Sequence, residues 1–154
     1  MSVQVVERRD PAAVERLLRS LPAWFGIEEA IVAYVEQVRT ASASFVAVVD
    51  DRVVGAALVE RRSPALVELA LIAVHAEQRG AGIGRALVDA AATWAASAGA
   101  AAFEVHTVGP SFEDDGYAAT RAFYRSCGFL PVREVEGLDW DGPTLILERP
   151  LAVP

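Results

Sequence analysis

The stretch that decides the fold is "ALVELALIAVHAEQRGAGIGRALVDAAATWAA", Ala65 to Ala96. Its opening is apolar on both alternating faces except at Glu68, the pattern of a central strand covered on both sides. Its close places Ile83, Leu87, Ala90, Ala91 and Trp94 on one face of a helix. Between the two stand Gly80, Gly82 and Gly84, flanked by Arg79 and Arg85. Each glycine near a helix start costs about 1 kcal/mol against alanine, so the chain needs bare backbone there. Unpaired N–H groups and the positive end of the helix dipole make such a loop an anion site that a phosphate approaches without meeting a Cβ. A tight turn with close packing of helix on sheet accounts for the glycines equally well at this stage. Two nucleotide motifs are excluded. The dinucleotide pattern G-x-G-x-x-G needs glycine where Arg85 stands, and the P-loop's Gly-Lys-Ser/Thr meets Gly84-Arg85-Ala86.

Outward from this stretch, the chain alternates strand and helix patterns. Val3–Glu7 reads as a strand, and Asp10–Pro11 opens a helix with a cap followed by proline. After "PAWFG" a second helix runs to about Arg39, with Ile27, Ile31, Tyr34, Val35 and Val38 in register. "SFVAVVDDRVVGAALVERR" is a hairpin turning at Asp50–Asp51. Downstream, "AAFEVHT" is a strand, "YAATRAFYRSC" a helix, and "FLPVREV" and "TLILERP" two closing strands. The expected order is β-α-α-β-β-β-α-β-α-β-β, a mixed α/β fold in one domain spanning residues 1–154.

Composition bounds the function classes. A chain of 154 residues is long enough to bury a substantial core. One cysteine, Cys127, allows no internal disulfide, and with two histidines it makes a structural zinc site improbable, so no metal is expected. A net charge of −7 argues against nucleic-acid binding, which needs a basic face. The start, "MSVQVVERRDP", alternates like a strand rather than a signal peptide, and no apolar run approaches the ~20 residues of a membrane helix. The expectation is a soluble cytoplasmic protein without a membrane partner, monomeric or homodimeric.

"RGAGIG", Arg79–Gly84, resembles the Arg/Gln-x-x-Gly-x-Gly/Ala signature of the GNAT acetyltransferase superfamily, and "FYRSCGF", Phe123–Phe129, is similar to that family's tyrosine helix and following strand start. The resemblance covers almost the whole chain through its element order. It implies a central mixed, mostly antiparallel sheet of six to seven strands flanked by about four helices. It also implies acetyl-CoA, or another acyl-CoA, as donor. The pyrophosphate would lie on the amides of Arg79, Gly80, Ala81, Gly82, Ile83, Gly84 and Arg85, and the pantetheine arm along Ile72, Ala73 and Val74. One position departs from the family pattern: where many members carry asparagine at the start of the tyrosine helix, this chain has Tyr117.

Acyl transfer to an amine needs a base, because an alkylammonium with a pKa near 10 has no lone pair to attack with. Glu68 is the sole charge in its apolar strand, and its spacing from Arg79 resembles that of the glutamate base in histone-type GNAT enzymes. Glu104 and His106 on the neighbouring strand are rival bases, and a solvated carboxylate remains the plain alternative. The developing oxyanion needs a donor, which the resemblance implies is the Val74 or Ala73 amide at a splayed strand end. The departing thiolate needs a proton, and Tyr124 matches the family's general acid, although a core tyrosine reads the same way. Cys127 has no histidine near it in sequence, so direct transfer in a ternary complex is expected over an acyl-cysteine.

The acceptor is a primary amine, a small molecule or a peptide. Trp24, Phe25 and His106 are candidate acceptor contacts, the first two from the segment where GNAT folds build the acceptor entrance. "GPSFEDDGY", Gly109–Tyr117, is an acidic loop or simply a solvated loop ending in a helix cap. A non-catalytic acyl-CoA-sensing or protein-interaction module on the same fold is the alternative. Such a module has no need of Glu68 and Tyr124.

Overall fold

The computed structural model describes residues 2–152. The elements follow in the order β1 (Gln4–Glu7), α1 (Pro11–Arg19), α2 (Glu28–Thr40), β2 (Ala43–Val49), β3 (Arg52–Ser63), β4 (Leu66–Val74), α3 (Ile83–Ser97), β5 (Ala102–Val108), α4 (Asp115–Ser126), β6 (Leu130–Glu136) and β7 (Pro143–Pro150). A short 3-10 turn, Ala76–Gln78, follows β4. All seven strands form one sheet in the order β1-β2-β3-β4-β5-β7-β6. β4 and β5 pair in parallel, Leu66–Leu69 against Ala102–Val105, whereas β1–β2, β2–β3, β5–β7 and β6–β7 are antiparallel. This is the mixed, mostly antiparallel sheet with four helices that the family resemblance implied.

The residues group into two compact units, 2–60 with Ala70–Trp94, and Arg61–Leu69 with 95–152. In the first unit the Asp10 side chain caps α1 by accepting the Ala13 N–H at 3.1 Å, and proline sits in the first turn. Val14, Leu17, Leu18 and Leu21 then bury against Ile31, Val38, Leu58 and Leu71. Arg9 donates to the carbonyls of Val38 and Ala41 at 2.9 and 2.8 Å, closing the C-terminal end of α2, where helix carbonyls lack partners. Asp50 and Asp51 both take positive φ, the left-handed geometry that a two-residue hairpin needs to match strand twist. Ile27 departs from the expected inward register. It stands before α2 as its N-terminal cap and is exposed.

The second unit centres on Phe103 and Phe129, with ring centroids 5.5 Å apart. Tyr124 packs edge-on against Phe129 at 5.8 Å. Asp114 caps α4 by accepting the Tyr117 N–H at 3.1 Å, so the acidic segment before this helix ends in a working cap. Gly128 takes φ +92°, which lets the chain turn from α4 into β6. Tyr124 is the residue of α4 that reaches the core, while Ala119 and Ala122 are exposed.

Candidate functional site

The glycine loop is shaped by its backbone. Gly80 and Gly82 both take φ +80°, a left-handed geometry that a residue with a Cβ adopts at a cost of about 1–2 kcal/mol. A Cβ at either position would meet nothing within 4 Å, so no packing contact demands glycine there. Arg79, Gly80, Ala81, Gly82 and Arg85 are exposed. The first turn of α3 closes with the Ala86 N–H on the Gly82 carbonyl at 3.0 Å. The Ile83 and Gly84 amides precede that bond and have no acceptor within the helix. Two left-handed glycines, an open face and a helix N-terminus fit an anionic group.

What holds this helix start in place is Gly55 on β3, a residue the sequence reading did not single out. A Cβ there would come within 2.9 Å of Leu87 Cδ1, 3.1 Å of Ile83 Cγ2 and 3.3 Å of Ala47 Cβ. Gly55 therefore lets α3 lie close on the sheet, with Ile83 and Leu87 fully buried. A glycine inside a strand pattern signals such an approach. At the end of β4, Ile72 and Val74 are half-buried and Ala73 is buried. The His75 N–H donates to the Val54 carbonyl at 2.8 Å. The Arg79 guanidinium lies 6.0 Å from the Trp24 ring centroid, within cation–π range. Trp24 and Phe25 are half-buried against the core of their unit, and Phe25 meets Tyr34 edge-on at 6.0 Å.

The three rival bases prove to be one cluster. Glu68 and Glu104 are register partners on β4 and β5, and His106 follows two residues on, on the same face of β5. Arg62 Nε donates to Glu68 Oε1 at 2.7 Å. The other Glu68 oxygen lies 3.8 Å from His106 Nδ1, too far for a hydrogen bond. His106 Nε2 sits 3.2 Å from Glu104 Oε2, and its Nδ1 sits 2.8 Å from Asp139 Oδ2. Carboxylates flank both ring nitrogens, an arrangement that favours the doubly protonated ring. Burial pulls its pKa down, but the Asp139 hydrogen bond and the Glu68 charge outweigh that and raise it above the usual histidine value. His106 thus stands among three carboxylates, those of Glu68, Glu104 and Asp139.

Asp139 was not legible as a partner of His106, because it lies 33 residues further along the chain and in no motif with it. The segment "EGLDWDGP" reads only as a hairpin turn. Among the described residues no cluster of His, Cys, Asp and Glu has the arrangement of a metal site. Among the described residues no helix is long and apolar enough to cross a membrane.

In the same unit as this cluster, Tyr124 is buried, its ring 5.5 Å from Phe123 and 5.8 Å from Phe129. Arg121 donates to the Val108 carbonyl at 2.8 Å and so holds the end of β5, while Arg125 is exposed. Cys127 is buried at the end of α4, and its carbonyl accepts from Arg149 at 3.2 Å.

The family model described as an acetyltransferase (GNAT) domain matches residues 40–131, more than half the chain. An acetyltransferase structure ascribed to the GNAT family, from Desulfovibrio desulfuricans, aligns with a TM-score of 0.84 at 23% identity, over 98% of this chain and 100% of that one. An aminoglycoside 6'-N-acetyltransferase complexed with coenzyme A aligns at 0.76 and 19% identity, over 99% and 98%. The ribosomal-protein-S18-alanine N-acetyltransferase from Escherichia coli aligns at 0.76 and 17% identity, over 99% and 95%. At these identities the structural likeness is one of fold. No curated protein matches the sequence. With its glycine loop, its strand order and a family match running from the end of α2 into β6, the chain belongs to the GNAT acetyltransferase family.

Proposed function

We propose that this protein is an acetyl-CoA-dependent N-acetyltransferase that moves an acetyl group to a primary amine by direct transfer in a ternary complex. The observation that carries the reading is the glycine loop: left-handed Gly80 and Gly82 with open space where a Cβ would stand, ahead of the α3 N-terminus. The coenzyme A held by a structural neighbour supports the same reading. The amides of Gly80 to Gly84 would hold the donor's diphosphate, Arg79 and Arg85 would add charge, and Ile72, Ala73 and Val74 would flank its pantetheine arm. When bound, acetyl-CoA supplies the thioester carbonyl that is attacked and the thiol that leaves.

The chain's own residues move the protons. Glu68 Oε2 takes a proton from the incoming ammonium, freeing the lone pair that forms the new C–N bond. The Val74 or Ala73 N–H donates to the carbonyl oxygen as negative charge grows on it. The Tyr124 hydroxyl gives its proton to the sulfur as the C–S bond breaks, and the second proton shed by the acylated nitrogen restores the tyrosine hydroxyl. The products are an acetamide and free thiol, and the proton on Glu68 returns to solvent. His106, whose protonated form Asp139 and Glu68 favour, offsets part of the charge of Glu104 and Asp139 beside Glu68.

The acceptor is an amine that arrives as a cation. Its approach to an acidic chain of net charge −7 is favoured electrostatically, and the attraction weakens with salt. The experiment is to follow free thiol released from acetyl-CoA with and without a panel of primary amines. Amine-dependent release supports the reading. Acetyl-CoA binding with no release under any amine would put a sensing module in its place.

A further inference from the structure

Outside the donor loop and the carboxylate cluster, one feature stands apart. Phe112, Leu138 and Trp140 are large, apolar and 42%, 48% and 40% exposed. Two of them are nonetheless fixed in place. The Trp140 ring stands edge-on to Phe112 with centroids 5.5 Å apart at 85°. Trp140 Nε1 donates to the Pro143 carbonyl at 3.0 Å, and the ring lies where a side chain at Gly142 would collide with it. The Phe112 N–H donates to the Gly109 carbonyl at 3.1 Å, and the neighbouring Ser111 N–H donates to Glu134 at 3.2 Å. The ring–ring contact and the indole hydrogen bond therefore reduce the side-chain freedom that a ligand would otherwise have to remove. A preset, half-exposed aromatic pair is the form a binding anchor takes.

The chain continues directly from this pair into the candidate site. Asp139, next to Trp140, is hydrogen-bonded to His106 at 2.8 Å. Glu68, Glu104 and Asp139 face Arg62 and His106, so this group of side chains keeps a net negative charge even with His106 protonated. An apolar surface beside an acidic group calls for a ligand that is apolar at one end and cationic at the other.

We propose that the Phe112–Trp140 pair holds the non-reacting apolar end of the acceptor, and that the acceptor is a small arylalkyl or alkyl amine whose ammonium faces the Glu68 cluster. This rests on the amine-acetyltransferase reading above and narrows it. The pair is two side chains wide, enough for one phenyl ring or short alkyl chain. A peptide and a second copy of this chain are the competing occupants.

Equilibrium binding tests the site independently of catalysis. 2-Phenylethylamine and ethanolamine hydrochlorides are titrated into the full chain by calorimetry, with the indole N–H resonances followed by NMR. The expected result is 2-phenylethylammonium binding at least about tenfold tighter, the increment that burial of one apolar group supplies, with a shift of the Trp140 indole signal. Trp140→Ala should weaken 2-phenylethylammonium about tenfold more than ethanolammonium, and Trp140→Phe should restore most of the preference, which a merely misfolded variant would not show. Equal affinity for the two amines, or a preference untouched in Trp140→Ala and Phe112→Ala, overturns the proposal. So does Trp140-dependent binding of a Phe-Gly-Gly peptide but not of 2-phenylethylamine. A Trp140-dependent dimer by sedimentation, with amine binding unaffected, overturns it in favour of self-association. Acetamide formation is scored separately: its absence with the binding preference intact removes the transferase reading and keeps the site.

Discussion

Asp139 Oδ2 lies 2.8 Å from His106 Nδ1, joining the β6–β7 loop to the carboxylate cluster on β4 and β5. The bond, with the Glu68 charge, prevails over burial and raises the His106 pKa. The folded protein thus holds this proton more tightly than the unfolded chain does. Its contribution to stability is complete below the ordinary histidine pKa of about 6.5 and is lost as pH rises through the raised value. Asp139→Asn should lower the His106 pKa in an NMR titration and flatten that loss of stability in thermal melts. An unchanged titration would show that Asp139 does not set the charge of His106.

The glycine loop separates affinity from stability. Gly82→Asp adds a Cβ into open space at φ +80° and should cost about 1–2 kcal/mol of stability through backbone strain alone. It should also abolish acetyl-CoA binding, because a carboxylate then faces the diphosphate. Calorimetry on a variant shown to be folded decides this. Wild-type affinity would remove the donor site from this loop.

Gly55 makes the opposite prediction. Its Cβ would collide with Leu87 and Ile83, so Gly55→Val should destabilise the fold by about 1–3 kcal/mol through overpacking. By shifting the start of α3 it should also raise the KM for acetyl-CoA. Denaturant unfolding and donor titration check the two effects. A neutral Gly55→Val would mean that α3 is not held by this contact.

Proton transfer is tested at both ends. Tyr124→Phe keeps the ring packing against Phe123 and Phe129 and should lower kcat about 10- to 1,000-fold with donor affinity retained. Glu68→Gln should lower kcat/KM about 100- to 10,000-fold. The loss should shrink as pH approaches the amine's own pKa near 10, where acceptor arrives without its proton. A deficit in Glu68→Gln that stays constant with pH would point to a positioning role instead.

The fold was legible because its signals are local. The Asp10 cap, the Asp50–Asp51 turn, the alternation around Glu68 and the glycine loop each report their own few residues, and all seven strands and four helices follow from them. The deviations are local too. Ile27 fits the helical period of α2, but as the residue before its first turn it points to solvent. The site was legible in part. Glu68, Glu104 and His106 were singled out as rivals, and their union follows from the β4–β5 register, which no single stretch of sequence states. Asp139 and Gly55 act through contacts with residues distant in the chain, and such pairings leave no trace in periodicity or composition.

The account's central claim is that Glu68 and the glycine loop serve acetyl transfer to an amine. The most direct test is thiol release from acetyl-CoA by the wild-type chain, Glu68→Gln and Gly82→Asp, with 2-phenylethylamine as acceptor and the acetamide identified by mass spectrometry. Acetamide and thiol should appear in equal amounts with the wild type, fall by two orders of magnitude or more with Glu68→Gln, and vanish with Gly82→Asp. Thiol release without acetamide, or full activity in either variant, would contradict the account.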